Sequence, residues 1–125
     1  MRGVLLVGCG GFIGSALRYL VTLGVQRLLG TTTFPYGILV ANSLGCLLIG
    51  LLAGLTEMRP VVSPQTRLFL FVGLLGGFTT YSTFANDTFL LLRSSNPLTG
   101  LANIAAQILL GLAAVWLGYR LGRAM

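Results

Sequence analysis

"VLLVGCGGFIGSALRYL", Val4 to Leu20, decides what kind of fold this chain can have. An apolar run, then Gly8, Gly11 and Gly14, then a helix-like continuation fits a dinucleotide-binding turn. In such a turn the glycines let backbone approach a pyrophosphate at a helix N-terminus. The same letters fit a membrane helix whose glycines admit a neighbouring helix. Composition separates the two readings. A nucleotide fold needs strands alternating with amphipathic helices whose outer faces are charged. Only 8% of the 125 residues are charged, however, and 55% are hydrophobic. Mean hydropathy is +0.92, which belongs to membrane proteins. A dinucleotide site also wants an acid about 20 residues past the glycines to hold a ribose hydroxyl, and the first acid here is Glu57. The membrane helix stands.

Working outward, four apolar segments fit the ~20 residues of helix that a bilayer requires. They cover about 3–29, 37–55, 67–92 and 98–119 of a single domain, 1–125. The first segment is expected to remain in the chain, because no small-x-small cleavage site ends it. Small residues recur four apart at Gly10 and Gly14, Ala41 and Gly45, Gly50 and Gly54, Gly73 and Gly77, and Ala114 and Gly118. Stripes of this kind let backbones pack closely where lipid supplies no hydrophobic drive. Some are expected to face a second copy, since four helices of this length rarely enclose an aqueous path.

Every cation is an arginine, and the net charge is +6. With four spans, both termini and the central loop share one side, which carries Arg2, Arg59, Arg67, Arg120 and Arg123. Arg27, Arg93 and Arg18 fall towards the other. The bias favours a cytoplasmic N-terminus but is slight enough to permit insertion both ways. So little water-exposed surface makes nucleic acid a poor partner, and the charge suits anchoring at the membrane surface. Cys9 and Cys46 both lie inside spans, where they read as small apolar fillers. Without histidine there is no metal-ligand cluster. No nucleophile stands with a base and no carboxylates pair, so no enzyme and no catalytic residue is expected. Asp87, inside the third span, is a functional candidate by its place. Its six-residue distance from Arg93 equally suits an interfacial cap or ion pair.

The third span contains "FVGLLGGFTTYSTFAND", Phe71 to Asp87. Gly73, Gly76 and Gly77, followed by Thr79, Thr80, Ser82 and Thr83, favour a broken helix. Lipid tolerates no unsatisfied backbone, so such a break must face protein, water or an ion. Freed carbonyls suit a hard cation such as sodium, and the hydroxyls of Ser82 and Thr83 can donate to an anion. Tyr81 and Phe84 share a face, with ring edges that carry partial positive charge. A kinked structural helix with aromatics in its core accounts for the same letters.

"GLLGGFTTYSTF", together with "GGFIGSALRYL" in the first span and "YGILVANSLGCLLIG" in the second, resembles the fluoride channel family, Fluc or CrcB. The resemblance covers the chain nearly end to end. It implies an all-α membrane protein with four transmembrane helices and a broken third helix, assembled as an antiparallel dual-topology homodimer in the cell (inner or plasma) membrane. It implies a fluoride-selective channel for passive export that relieves fluoride toxicity, with two pores along the subunit interface. A structural sodium ion would be held at the dimer centre by the backbone carbonyls of Gly76 and Thr79. The pore would be bordered by the paired rings Tyr81 and Phe84, the amide of Asn42, the hydroxyls of Ser82 and Thr83, and Arg18 at the aqueous vestibule.

Three positions depart from the family pattern. Tyr81 stands where phenylalanine is usual, and its hydroxyl either donates to the anion or bonds a neighbouring helix. Gln107 and Gly111 occupy places where small hydroxyl residues are usual, and Gln107 is a further candidate donor to the anion. A small four-helix multidrug-type exporter is the alternative. That class requires a membrane carboxylate in its first helix, and the first span has none.

Overall fold

The computed structural model describes residues 1–30, 32–58 and 62–125, apart from the Met58 side chain. Arg59, which the charge reading set beside the termini, lies outside the described residues. All described secondary structure is helical. Helix α1 is Arg2–Leu29 and α2 is Tyr36–Met58. A helical run over 64–78, here α3, opens with Pro64–Arg67, widens to π-type winding over Leu68–Leu75 and closes with Gly76–Phe78. After two extended residues come α4, Tyr81–Leu92, and α5, Leu98–Ala124. Four stretches are long and apolar enough to cross a membrane: Arg2–Leu29, Tyr36–Glu57, Pro64–Leu92 and Leu98–Ala124.

The third and fourth stretches are longer than hydropathy suggested, for identifiable reasons. Ser63 caps α3 by accepting from the Thr66 N–H at 3.1 Å, and Pro64 takes a first-turn position where its missing N–H costs nothing. At the far end of α5, the guanidiniums of Arg120 and Arg123 lie 5.8 Å from the ring centres of Trp116 and Tyr119. Cations favour a helix C-terminus, and each such ring contact adds on the order of 0.5–1 kcal/mol at an exposed site. Arg67 over Phe71 and Arg93 over Phe89 repeat the device at 5.5 and 5.4 Å. Aromatic–arginine pairs therefore mark both ends of the bundle, where a bilayer meets water.

Burial runs opposite to that of a water-soluble domain. The buried apolar residues are few (Ala41, Leu75, Phe78 and Leu91), and the largest fully buried side chain is the polar Asn103. Outward-facing leucines and Trp116, 64% exposed, cover the outside. Lipid is the medium that accommodates this arrangement.

Glycine decides how the helices meet. Helix α5 packs along α2, and α1 packs along α3. A Cβ on Gly50 or Gly54 would run into the Val115 or Tyr119 carbonyl of α5, and one on Gly118 or Gly122 into the Leu47 or Leu51 carbonyl of α2. Gly10, Gly14, Gly73 and Gly77 similarly bring the α1 and α3 backbones together: a Cβ on Gly10 would lie 3.0 Å from the Gly73 Cα, and one on Gly73 3.0 Å from the Gly10 Cα. Gly45 lies against Thr79. Each of the five stripes thus has at least one member in close contact with a neighbouring helix of the same chain. On α5 the tight pair is Gly118 with Gly122, and Ala114 is only half-buried.

Candidate functional site

The break in the third span is two residues long. Thr79 (φ −87°, ψ 157°) and Thr80 (φ −149°, ψ 119°) are both extended. Extended residues cannot continue the helical ladder, so their backbone groups need other partners. The Thr79 N–H still reaches the Leu75 carbonyl at 3.0 Å, and the Thr79 hydroxyl donates to the same oxygen at 3.0 Å. Thr80 turns away altogether. Its N–H donates to Asn42 Oδ1 at 2.9 Å, and its carbonyl accepts from Asn42 Nδ2 at 3.2 Å. One α2 side chain thereby satisfies both backbone groups of a residue 38 positions away in sequence. Asn42 Nδ2 also donates to Gln107 Oε1 of α5 at 3.1 Å. The break is stapled to two other helices.

Thr80 then starts α4. Its hydroxyl accepts from the Thr83 N–H at 3.3 Å, donates to Thr83 Oγ1 at 3.1 Å, and lies 3.3 Å from Ser82 Oγ. This is an N-cap that also links three hydroxyls in a row. It has a second consequence for the carbonyls. In an unbroken helix the Gly76 carbonyl would receive the Thr80 N–H, and the Thr79 carbonyl the Thr83 N–H. Both donors go instead to side-chain oxygens, of Asn42 and of Thr80. Gly76 and Thr79 are therefore carbonyls relieved of their helical donors, and the donor set fits a hard cation such as sodium.

Two cavities flank the break. One, of about 410 Å³, has Asn42, Thr80, Tyr81, Phe84 and Gln107 in its wall. Tyr81 and Phe84 meet edge to face there, with ring centres 5.7 Å apart and planes at 64°. The other, of about 760 Å³, opens between the C-terminal end of α1, the start of α2 and α4, with Thr22, Thr83 and Asp87 in its wall. Thr80 borders the first cavity and Thr83 the second, so the hydroxyl row connects them.

Of the residues expected to border a pore, Asn42, Tyr81, Ser82, Thr83, Phe84 and Gln107 converge around the break. Arg18, expected at the aqueous vestibule and not at the break, is half-buried on α1, one turn before Thr22. Tyr81 is 80% exposed, and its hydroxyl bonds no neighbouring helix of the described chain. Gly76 is exposed as well, and a Cβ there would find only the Phe71 carbonyl, at 3.7 Å. Asp87 and Arg93 form no ion pair; the arginine lies over Phe89 instead. From sequence Thr80 was read only as part of the break, without a partner on another helix, and the buried pair of Asn103 and Thr88, joined at 2.9 Å, was missed. The signal for Asn103 was present: it stands four residues before Gln107, a polar stripe on an otherwise apolar span.

Comparison with known proteins shows the family of this chain. The sequence model of the family described as CrcB-like protein, Camphor Resistance (CrcB), matches residues 5–119. The chain belongs to the CrcB family. A relative from Rhizobium meliloti, named fluoride-specific ion channel FluC, is 45% identical over 125 residues, 100% of this chain and 99% of its own. The FluC of Flavobacterium psychrophilum is 44% identical over 118 residues, 94% of each chain, and that of Clostridium novyi is 40% identical over 119 residues. These CrcB relatives are named as ion channels and not as enzymes. With four apolar helices, the CrcB chain is an integral protein of the cell membrane.

Proposed function

We propose that this CrcB chain forms a fluoride-selective channel through which fluoride leaves the cell passively. The observation that carries the reading is the stapled break beside two edge-to-face rings, in a chain whose near full-length relatives are named fluoride-specific ion channels. Fluoride is small and strongly hydrated, so a narrow path must replace its water with donors at every step. The amides of Asn42 and Gln107, the hydroxyls of Ser82 and Thr83, and the ring edges of Tyr81 and Phe84 are groups of that kind. Linked hydroxyls between the two cavities offer a way for the ion to move on from the rings.

A single chain leaves Tyr81, Ser82 and Gly76 open on its surface. That supports an antiparallel homodimer in which a second copy covers this face, with the weak arginine bias suited to dual topology. The Gly76 and Thr79 carbonyls of both copies would hold sodium at its centre. Bound there, sodium would supply a fixed positive charge that offsets part of the anion's desolvation. The residues themselves do the rest: they orient donors, exclude lipid and set a weak site at each step. The multidrug-type alternative lacks the acid it needs, since α1 has none among Arg2–Leu29.

Purified protein in liposomes decides between the two. Loaded with fluoride, the vesicles are expected to release it, while chloride and a quaternary ammonium drug stay inside. Drug transport without fluoride release would sink the proposal.

A further inference from the structure

A third cavity, a groove of about 610 Å³, lies away from the break, between the first turns of α1 and the start of α3. Its wall includes Leu5, Leu6, Cys9 and Leu68, with Arg2 and Gln65 at the end where both helices begin. Gly3 lets the two helices close up there: a Cβ on it would lie 3.1 Å from Leu68 Cδ2. Arg2 and Arg67 each precede a member of that contact, so both arginines leave the backbone at the same level. Helix α1 has 28 residues, more than the ~20 a bilayer needs, which sets Arg2 at headgroup depth. Cys9 is about 10 Å deeper along the helix, among the acyl chains. The groove therefore joins an apolar slot to a basic rim. No residue of α1 or α3 is acidic, and both helices turn their positive dipole ends to this rim. Of the chain's two acids, Asp87 belongs to α4 and Glu57 accepts from the Tyr119 hydroxyl of α5.

We propose that this groove binds an anionic phospholipid, one acyl chain lying along Leu5, Leu6, Cys9 and Leu68 and the headgroup phosphate pairing with Arg2. A guanidinium offers a planar fork of donors that matches a phosphate, and basic pockets between membrane helices suit anionic headgroups. Arg67 adds charge at the same level, and Gln65 adds an amide donor. A zwitterionic lipid carries its own ammonium to this basic rim, so the site discriminates by net headgroup charge. A second copy is the poorer occupant, since the chain brings eight arginines and two acids to any contact with itself. The site uses none of the residues placed at the pore, and it stands whether or not the chain conducts fluoride.

The test reads which lipid touches the groove. The chain holds one tryptophan, Trp116, so Trp116→Phe combined with Leu5→Trp puts a single fluorescent reporter in the groove wall. In bilayers containing dibrominated lipids, quenching of that reporter is expected to show phosphatidylglycerol binding about threefold or more tightly than phosphatidylcholine. Adding Arg2→Gln is expected to abolish the preference, whereas Arg123→Gln on α5 is expected to leave it. Equal quenching by the two lipids, or a preference that survives Arg2→Gln, overturns the proposal. An equal loss with Arg123→Gln overturns it too, since general attraction to a basic end would then explain the preference. No quenching by either lipid would mean that a second copy fills the groove. Should the tryptophan variant fail to assemble, native mass spectrometry of the wild-type chain decides. Released from nanodiscs holding both lipids equally, it is expected to retain phosphatidylglycerol ahead of phosphatidylcholine and to lose that preference in Arg2→Gln. Equal retention of the two lipids by the wild-type chain overturns the proposal.

Discussion

Helices α2 and α5 on one hand, and the third span on the other, are built from the same small residues and reach opposite outcomes. Along α2 and α5, glycines sit four apart with no run of hydroxyl residues between them, so two regular ladders approach until carbonyl oxygens meet glycine faces. Each backbone bond stays inside its own helix. In the third span, glycines are followed by a run of hydroxyl residues that compete for the backbone. There the ladder opens at Thr79 and Thr80, and a side chain 38 residues away must close the account. Close packing needs only the absence of a side chain. A break at membrane depth needs the presence of a particular one.

Four experiments press on that contrast. The largest effect is expected at Asn42. Asn42→Asp sets a second carboxylate oxygen against the Thr80 carbonyl and another acceptor, Gln107 Oε1. Fluoride efflux should disappear, and the thermal midpoint should fall by the equivalent of on the order of 3 kcal/mol. A variant that melts like wild type would mean the break supports itself.

Next comes the glycine-packed pair. Gly118→Val places a branched side chain where the Leu47 carbonyl of α2 already sits. Neither backbone can yield, so a loss at the upper end of about 1–3 kcal/mol is expected, read as lower thermal stability in detergent. Normal stability there would show that α2 and α5 tolerate separation and would weaken the contrast with the third span.

Gly76→Val sharpens it differently. Within one chain a Cβ at Gly76 makes only an ordinary contact with the Phe71 carbonyl, at 3.7 Å. Helix content and membrane insertion should therefore be unchanged while fluoride efflux falls at least tenfold, because two breaks facing each other would be crowded. Full activity of this variant would argue against a second copy meeting the first at Gly76. Thr79→Ser, which keeps the carbonyl and a hydroxyl, is expected to be mild by the same assay.

The smallest effect is expected at Tyr81. Its exposed hydroxyl bonds nothing in the described chain, and its ring edge meets Phe84. Tyr81→Phe should keep efflux within about tenfold, ~1.4 kcal/mol in the barrier. Tyr81→Ile should lose much more, since an aliphatic group has no positive edge. Equal loss in both variants would make the hydroxyl, and not the ring, the group that matters.

Much of this molecule was legible in its letters, for a reason that also marks the boundary. Hydropathy and the spacing of residues along a helix are local, additive properties, so the sequence by itself determined four membrane helices and the shared face of Tyr81 and Phe84. For the third span its glycines and threonines suited a break and a kink alike, and the resemblance to the fluoride channel family chose the break. Pairing across the bundle is not local. Only the tertiary structure decided that the glycine stripes bring α2 to α5 and α1 to α3, that Asn42 holds both backbone groups of Thr80, and that the Gln107 amide nitrogen is buried without a partner. It also decided that Asn103 bonds Thr88. Each of these depends on which helix lies beside which, and in a lipid-facing bundle that choice rests on backbone approach and on a handful of directional hydrogen bonds, for which spacing along one helix carries no address.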